Sequence, residues 1–288
     1  MEHQEVKEQL FTLLTEDNAT IALWKVSNPS LPIIQHIFLT HGTFSDKRIC
    51  MGIAKYFVAK GYICWIMEWR DHGKSGKVSQ PFNFETVALY DLKTAFHHLL
   101  EKEKIASLHC ITHSGGGICL TMYLIQNQVN IPKVKSIALF GCQVFGAATT
   151  TYKYIGVSIN KYFTKLIGFT PGRLGGKPHN ESYFTMKQWF DWNLGKHFKG
   201  ANDFDYLPRM KKVTVPIISV AAEGDKQIAP EVGCRSFLAA FENPKNKLLF
   251  CAKANGNLED YDHGRILLSR NAAKEIYPQI LDWFEVND

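Results

Sequence analysis

No stretch of the chain reaches the roughly 18 uninterrupted apolar residues that a membrane-crossing helix requires, so no integral membrane segment is expected. There is no C-x-x-C pair and no histidine cluster at metal-ligand spacing, which removes the usual grounds for a bound metal, and no cofactor is expected. Lys and Arg are scattered, the net charge is only +6, and no basic run has the density of a nucleic-acid arm, so nucleic acid is not an expected partner. The opening residues, Met1-Glu-His-Gln-Glu-Val-Lys-Glu8, are charged and lack the apolar core of a secretory signal. Cysteines number seven, an odd count, and Cys64, Cys110 and Cys251 sit inside strand-like apolar runs rather than loops. That pattern reads as buried thiols in a reducing cytoplasm, not as a disulfide framework. Internal repeats and low-complexity tracts are also missing.

What remains is an ordinary globular composition: 288 residues, 45% hydrophobic and 21% charged, enough for one large α/β domain with an insertion. From Ile33 onward, apolar runs of strand length alternate with longer amphipathic stretches. Ile33–Leu39, Tyr62–Trp69, Leu108–Thr112, Val134–Phe140, Val215–Ala221 and Lys247–Ala252 read as strands. Helical spacing covers Lys47–Lys60, Phe84–Lys104, Gly115–Gln126 and a closing segment Arg265–Phe284. Such alternation predicts a mainly parallel sheet covered by helices on both faces. Ahead of it, Leu10–Leu14 and Thr20–Lys25 flank Glu16-Asp17-Asn18 as an antiparallel hairpin on the sheet edge.

The rhythm breaks between Cys142 and Lys212. That stretch is dense in aromatics, is interrupted by Pro171-Gly172 and Gly175-Gly176, and is too long for a simple connection. The division expected is a core of residues 1–141 and 213–288, with residues 142–212 forming a helical cap. Phe145, Trp189 and Trp192 are its candidate pocket walls, and the two Gly-containing pairs its candidate hinges.

The chemistry centres on Leu108-His-Cys-Ile-Thr112-His113-Ser114-Gly115-Gly116-Gly117: a strand, a serine among small residues, then a helix. A serine at such a turn is held in a strained conformation with its hydroxyl exposed above the sheet. In isolation the same string is read as a helix cap by Ser114. The context decides against that reading, because an acid and a base follow in the required order, each in a loop after a strand. Asp225 comes in Glu223-Gly224-Asp225, and His263 in Asp260-Tyr261-Asp262-His263-Gly264. His263 is the expected base and Asp225 its partner. The Gly115 amide is one expected oxyanion donor; Thr43 is the first choice for the second and Phe44 the alternative. His113 flanks the nucleophile as a candidate substrate contact.

Taken together, Leu39-Thr-His41-Gly42, Gly61-Tyr-Ile-Cys-Trp-Ile-Met-Glu-Trp-Arg70-Asp71-His72-Gly73-Lys74-Ser75, Thr112-His-Ser114-Gly-Gly116, Gly224-Asp225 and Asp262-His263-Gly264 resemble the α/β-hydrolase superfamily. The first two blocks resemble its monoglyceride-lipase and serine-aminopeptidase branch. The resemblance implies the α/β-hydrolase fold and a serine hydrolase acting through an acyl-enzyme. It also shows departures: Thr112 replaces the usual glycine two before the serine, and Asp71 stands where glycine is common. His72 and Asp71 are read as turn residues of a structural loop. A serine nucleophile argues against the dehalogenase and epoxide-hydrolase chemistries of this fold, which use aspartate. A small-molecule carboxylic ester, lipid-like in character, is the substrate expected from the aromatic cap. An aminopeptidase (with Glu181, Asp191, Asp203 or Asp205 holding the substrate amine), an acyltransferase and a non-catalytic relative stay as alternatives.

Overall fold

A computed structural model of the chain describes residues 6–173 and 176–288. Its strands are β1 (Lys7–Leu14), β2 (Thr20–Ser27), β3 (His36–Thr40), β4 (Ile63–Glu68), β5 (Leu108–His113), β6 (Val134–Phe140), β7 (Phe169–Thr170), β8 (Glu181–Ser182), β9 (Ile217–Ala222) and β10 (Lys247–Cys251). Eight of them form one sheet in the order β1–β2–β4–β3–β5–β6–β9–β10. Every pairing from β4 to β10 is parallel, and β2 joins β4 antiparallel, with the β1–β2 hairpin at the edge. The chain is an α/β-hydrolase in its fold. β3, β4, β5 and β9 are buried almost along their whole length, as parallel strands covered on both faces must be.

One face packs against the helix Arg48–Val58 and the carboxy-terminal helices, with Ile53, Phe57, Ile280 and Phe284 meeting Ile37, Ile66 and Ile111. The other is covered by the helix over residues 84–102 and by Gly115–Gln126, where Val87, Leu92, Phe96 and Leu99 meet Phe38, Trp65 and Cys110. Asn83 opens the first of these helices with a reciprocal capping box to Thr86. Two stretches of it, Val87–Leu92 and His98–Lys102, are wound as π-helix. All seven cysteines are unpaired and buried.

Two expected elements are corrected. The third strand begins at His36, not Ile33, because its partner β4 begins at Ile63, opposite His36. Ile33 and Ile34 lie outside the ladder and are exposed. The closing segment is three helices, Arg265–Leu268, Arg270–Glu275 and Tyr277–Val286. Ser269 adopts an extended conformation between the first two, and its hydroxyl accepts the amide of Ala272, so the chain restarts a helix there.

Residues 142–212 contain the helices Thr151–Ile167 and Tyr183–Gly195, which pack on each other and are joined through the short β7–β8 pair. Gly176 has the positive φ that favours glycine, whereas Gly175 lies outside the described residues. No helix among the described residues is long and apolar enough to cross a membrane.

The loop after β4 is tied down by charge. Arg70 donates from Nε and Nη2 to Asp91 Oδ1 at 2.9 and 2.7 Å, and from Nη1 and Nη2 to Asp17 at 2.5 and 2.9 Å. Asp91 is fully buried and its Oδ2 also accepts the Arg70 amide. This triad joins the β1–β2 turn, the loop after β4 and the helix over 84–102. Asp91→Ala would leave the guanidinium buried with half its partners, a change that costs about 3–5 kcal/mol. Urea denaturation of wild type and variant measures it; a loss below about 1 kcal/mol would show that the triad is not a structural tie.

Candidate active site

The carboxyl ends of β3, β5, β6 and β9 finish at one edge of the sheet, the end at which open parallel sheets place their ligands. Ser114 follows β5 there, with φ 53° and ψ −124°, a region L-residues rarely occupy. Its amide donates to Phe140 O of the neighbouring strand at 2.8 Å, and its carbonyl accepts from the Gly117 amide at 3.0 Å. The three following glycines are each required by packing. A Cβ on Gly115 would meet Phe84 at 2.6 Å, one on Gly116 the His41 carbonyl at 2.6 Å, and one on Gly117 Cys142 Sγ at 2.7 Å. Thr112, where the family usually has glycine, is fully buried, and its Oγ1 lies 2.9 Å from where a Cβ on residue 117 would stand. The threonine is accommodated because residue 117 is a glycine.

Asp225 follows β9. Its Oδ1 accepts the amides of Ile228 and Ala229 at 3.2 and 3.0 Å, and its Oδ2 meets His263 Nδ1 at 2.5 Å. Burial would raise the Asp225 carboxyl, but the histidine and the two amides outweigh it and hold its pKa below the usual value. The loops carrying Asp225 and His263 are fastened together at Gly224, whose amide donates to Tyr261 O at 2.9 Å. The other acids nearby are committed elsewhere: Glu223 pairs with Lys226, and Asp262 caps the amides of Gly264 and Arg265. Gly141, directly after β6, sits beneath the pair, 3.1 Å in prospective Cβ distance from His263 Nδ1.

The loop Thr40–Phe44 reaches the same point. A Cβ on Gly42 would lie 2.6 Å from Ser114 Cβ and 2.8 Å from the Gly115 amide nitrogen, so its backbone lies directly on the Ser114 turn. His41 braces this loop: Nδ1 donates to Gly42 O at 2.7 Å and Nε2 accepts the Trp69 amide at 3.1 Å. Neither the Thr43 nor the Gly115 amide has a hydrogen-bond partner among the described residues. The Phe44 amide does: it donates to Glu181 Oε1 at 2.8 Å, and Phe44 has a φ of 62°. That corrects the alternative donor, since an amide already spent on a carboxylate is not available to an oxyanion.

Two pocket assignments are corrected as well. Trp192 is 1% exposed, its indole N–H donates to Lys199 O, and it packs on Phe84 and Phe198, which makes it core rather than wall. His113 is buried, and its Nε2 is 2.8 Å from the carbonyl of His263, with the two rings 4.7 Å apart. Burial and the His263 ring hold its pKa down at about 3, so a neutral His113 donates to that carbonyl and props the His263 loop. Phe145 and Trp189 are partly exposed at the margin of the larger core.

One pair of site residues escaped the sequence reading. His72 is buried with Nδ1 2.9 Å from Arg70 O and Nε2 2.8 Å from Glu181 Oε1. Both ring nitrogens face acceptors, which suits imidazolium. Burial acts to lower the His72 pKa, but the Glu181 carboxylate and the Arg70 carbonyl prevail and raise it. Glu181 comes from β8, 109 residues away in sequence, so no local pattern announces the pair. Together with Gly172, where a Cβ would lie 2.5 Å from the Phe44 ring, Glu181 joins the insertion to the loop beside Ser114.

A family profile, serine aminopeptidase S33, matches residues 32–175, half of the chain. The protein belongs to that family. The matched span contains the His41-Gly42 loop and Ser114; Asp225 and His263 lie beyond it. No curated protein matches the sequence. Among solved structures the family member is similar to an esterase, EaEST, from Exiguobacterium antarcticum, with TM-score 0.68, 15% identity, and 96% and 100% of the two chains covered. It is similar also to an esterase from Thermogutta terrifontis (TM-score 0.64, 12% identity, 97% and 100% covered) and to DcsB in complex with a substrate analogue (0.67, 16%, 98% and 99%). At these identities the likeness is one of fold.

The His72–Glu181 pair makes a pH prediction. Because the folded pKa of His72 is raised, its pairing stabilises the fold fully below the unfolded value near 6.5, and this is lost as pH rises through the folded pKa. Glu181→Gln keeps an acceptor for the Phe44 amide and removes the charge. The difference in melting temperature between wild type and Glu181→Gln should be largest near pH 6 and shrink toward pH 9. A difference constant across that range would show that His72 is not charged.

Proposed function

We propose that the protein is a carboxylic ester hydrolase that works through an acyl-enzyme on Ser114. The observation that carries the reading is the nucleophile turn: a strained serine flanked by two unspent amides, with the His263–Asp225 pair fastened beside it. Ser114 Oγ attacks the ester carbonyl. With Nδ1 held by Asp225, Nε2 of His263 is the nitrogen that takes the serine proton, gives it to the departing alcohol and then activates water. The amides of Thr43 and Gly115 receive the negative charge that develops on the carbonyl oxygen. Asp225 keeps the ring in the useful tautomer and offsets its charge. The esterase-like fold supports this chemistry.

The carboxylates of the insertion favour an ester over a peptide amino terminus. Asp191 is held between Lys161 and Lys187, Asp203 pairs with Lys199, Asp205 caps the Leu207 amide, and Glu181 already faces a histidine that is drawn toward its cationic form. A substrate ammonium would have to displace one of these.

We further read residues 142–212 as a cap that roofs the site, with Phe145 and Trp189 at the acyl pocket. The contacts of Gly172 and Glu181 with Phe44 support that placement, as does the partial exposure of the two aromatic rings.

A fluorophosphonate probe should label wild type and not Ser114→Ala; equal labelling of both would remove Ser114 from the mechanism. Asp225→Asn should lower kcat by about 10⁴, the loss recorded for the equivalent change in serine proteases, while Asp262→Asn leaves it near normal. The reverse order would reassign the acid. For the cap, Trp189→Ala and Phe145→Ala are compared with wild type in kcat/KM across p-nitrophenyl esters of graded length. At least one should shift the length preference by about 1–3 kcal/mol, the worth of one or two methylenes. An unchanged profile in both folded variants would return selectivity to the core loops.

A further inference from the structure

The helix Thr151–Ile167 lies on the outside of the molecule with its apolar side outward. Thr164 is its only buried residue. Tyr152, Ile155, Ile159, Tyr162, Phe163 and Leu166 recur at spacings of three and four, which sets them on one face, and each is more than half exposed. An amphipathic helix of a globular protein normally turns this stripe inward. Contiguous apolar patches of such extent on a soluble protein mark a surface that something else covers.

Charge selects what covers it. The helix carries Lys153, Lys161 and Lys165 and no Asp or Glu. Lys161 is tied to Asp191 and Lys153 donates to Lys226 O, while Lys165 is exposed and has no acidic partner among the described residues. A second copy docked by a two-fold axis would bring Lys153 and Lys165 of both helices to one seam with no acid on either helix to pair them, since Asp191 is already held by Lys161 and Lys187. An anionic bilayer supplies an apolar layer for the aliphatic and aromatic stripe and phosphate charge for Lys165, and for Lys153, whose ammonium otherwise meets only a carbonyl. Tyrosine rings, half apolar and half polar, suit the boundary between those layers.

We infer that this helix lies flat on an anionic phospholipid surface, with Ile155, Ile159, Phe163 and Leu166 dipping into the acyl boundary. It does not span the bilayer; it rests in the interface plane, as helices with one apolar face and a basic rim do. The inference goes beyond the proposed ester hydrolysis and does not depend on it.

The test is co-sedimentation of the full chain with vesicles of phosphatidylcholine and phosphatidylglycerol in about equal parts, against vesicles of phosphatidylcholine alone. Wild type should bind the anionic vesicles, bind the zwitterionic ones less, and lose affinity as salt is raised. The double variant I159D/F163D, altered only at exposed positions, should partition at least about tenfold less while melting as wild type does. Lys165→Glu should weaken binding to anionic vesicles and leave binding to neutral ones unchanged. The inference is overturned if wild type stays in the supernatant with both vesicle types, or if I159D/F163D binds as wild type does. It is equally overturned if the chain dimerises without lipid, I159D/F163D abolishes the dimer, and neither vesicle captures the protein. Binding is read without turnover, so either result leaves the hydrolase reading where it stands.

Discussion

Ser114 occupies backbone angles that cost a non-glycine residue about 1–3 kcal/mol, and the surrounding architecture holds it there from several sides. Its amide is taken by β6, its carbonyl closes the first turn of the next helix, and Gly42 lies on its Cβ. Gly115, Gly116 and Gly117 bring that helix against Phe84, against the His41 carbonyl and against Cys142, at separations no side chain would permit. The strain therefore depends on three neighbouring strand ends stopping at one level. Two of those strand ends, β3 and β6, also deliver the His41 loop and Gly141, and the adjoining strand β9 carries the loop with Asp225. A displacement of β3 or β6 would relax Ser114 and move the His41 loop or Gly141 away from it at once, which couples the parallel core to the candidate site above it.

Much of this arrangement was legible because it repeats a local grammar. Buried parallel strands read as apolar runs, and five of the six core strands were expected to within two residues at each end. Ser114, Asp225 and His263 each stand in a loop after a strand, and the Asp225–His263 contact brings together two residues that sequence order alone singles out, beyond the matched family span that stops at residue 175. What escaped was long-range. Nothing near His72 in sequence points to Glu181, and nothing near Phe44 indicates that its amide is spent, because the partner of both arrives from the far side of the insertion. Trp192 misled for a related reason. An aromatic in an aromatic-rich segment carries no sign of whether it faces a pocket or the core, and here Phe84 and Phe198 enclose it. The break at Ser269 was hidden because the apolar period continues through it; only the cap to Ala272 reveals it.

The insertion has two unlike sides. Toward the core it combines apolar packing, with Trp192 against Phe84, and specific polar contacts, with Glu181 reaching His72 and the Phe44 amide. Away from the core, along Thr151–Ile167, it is apolar and lacks acid. Buried hydrogen bonds and charge fix a unique placement, because a misplaced partner leaves a desolvated group unpaired. An apolar face tolerates many placements of whatever it meets. The same segment thus combines a determinate seat on the fold with an outward surface that asks only for low polarity.

The seven cysteines have a consequence for how the molecule meets electrophiles. Each is enclosed by apolar neighbours, and burial pushes every thiol upward, Cys251 to about 12 and the other six further. A thiol must ionise to react, so the sulfur atoms, usually the softest and quickest nucleophiles a protein offers, are silent here. If Ser114 reacts as proposed, no native thiol competes with its hydroxyl for acylating or phosphonylating reagents. A single cysteine placed on the surface would in turn be the one thiol open to alkylation, so this chain can carry a probe at a chosen position with its native sulfur left in place.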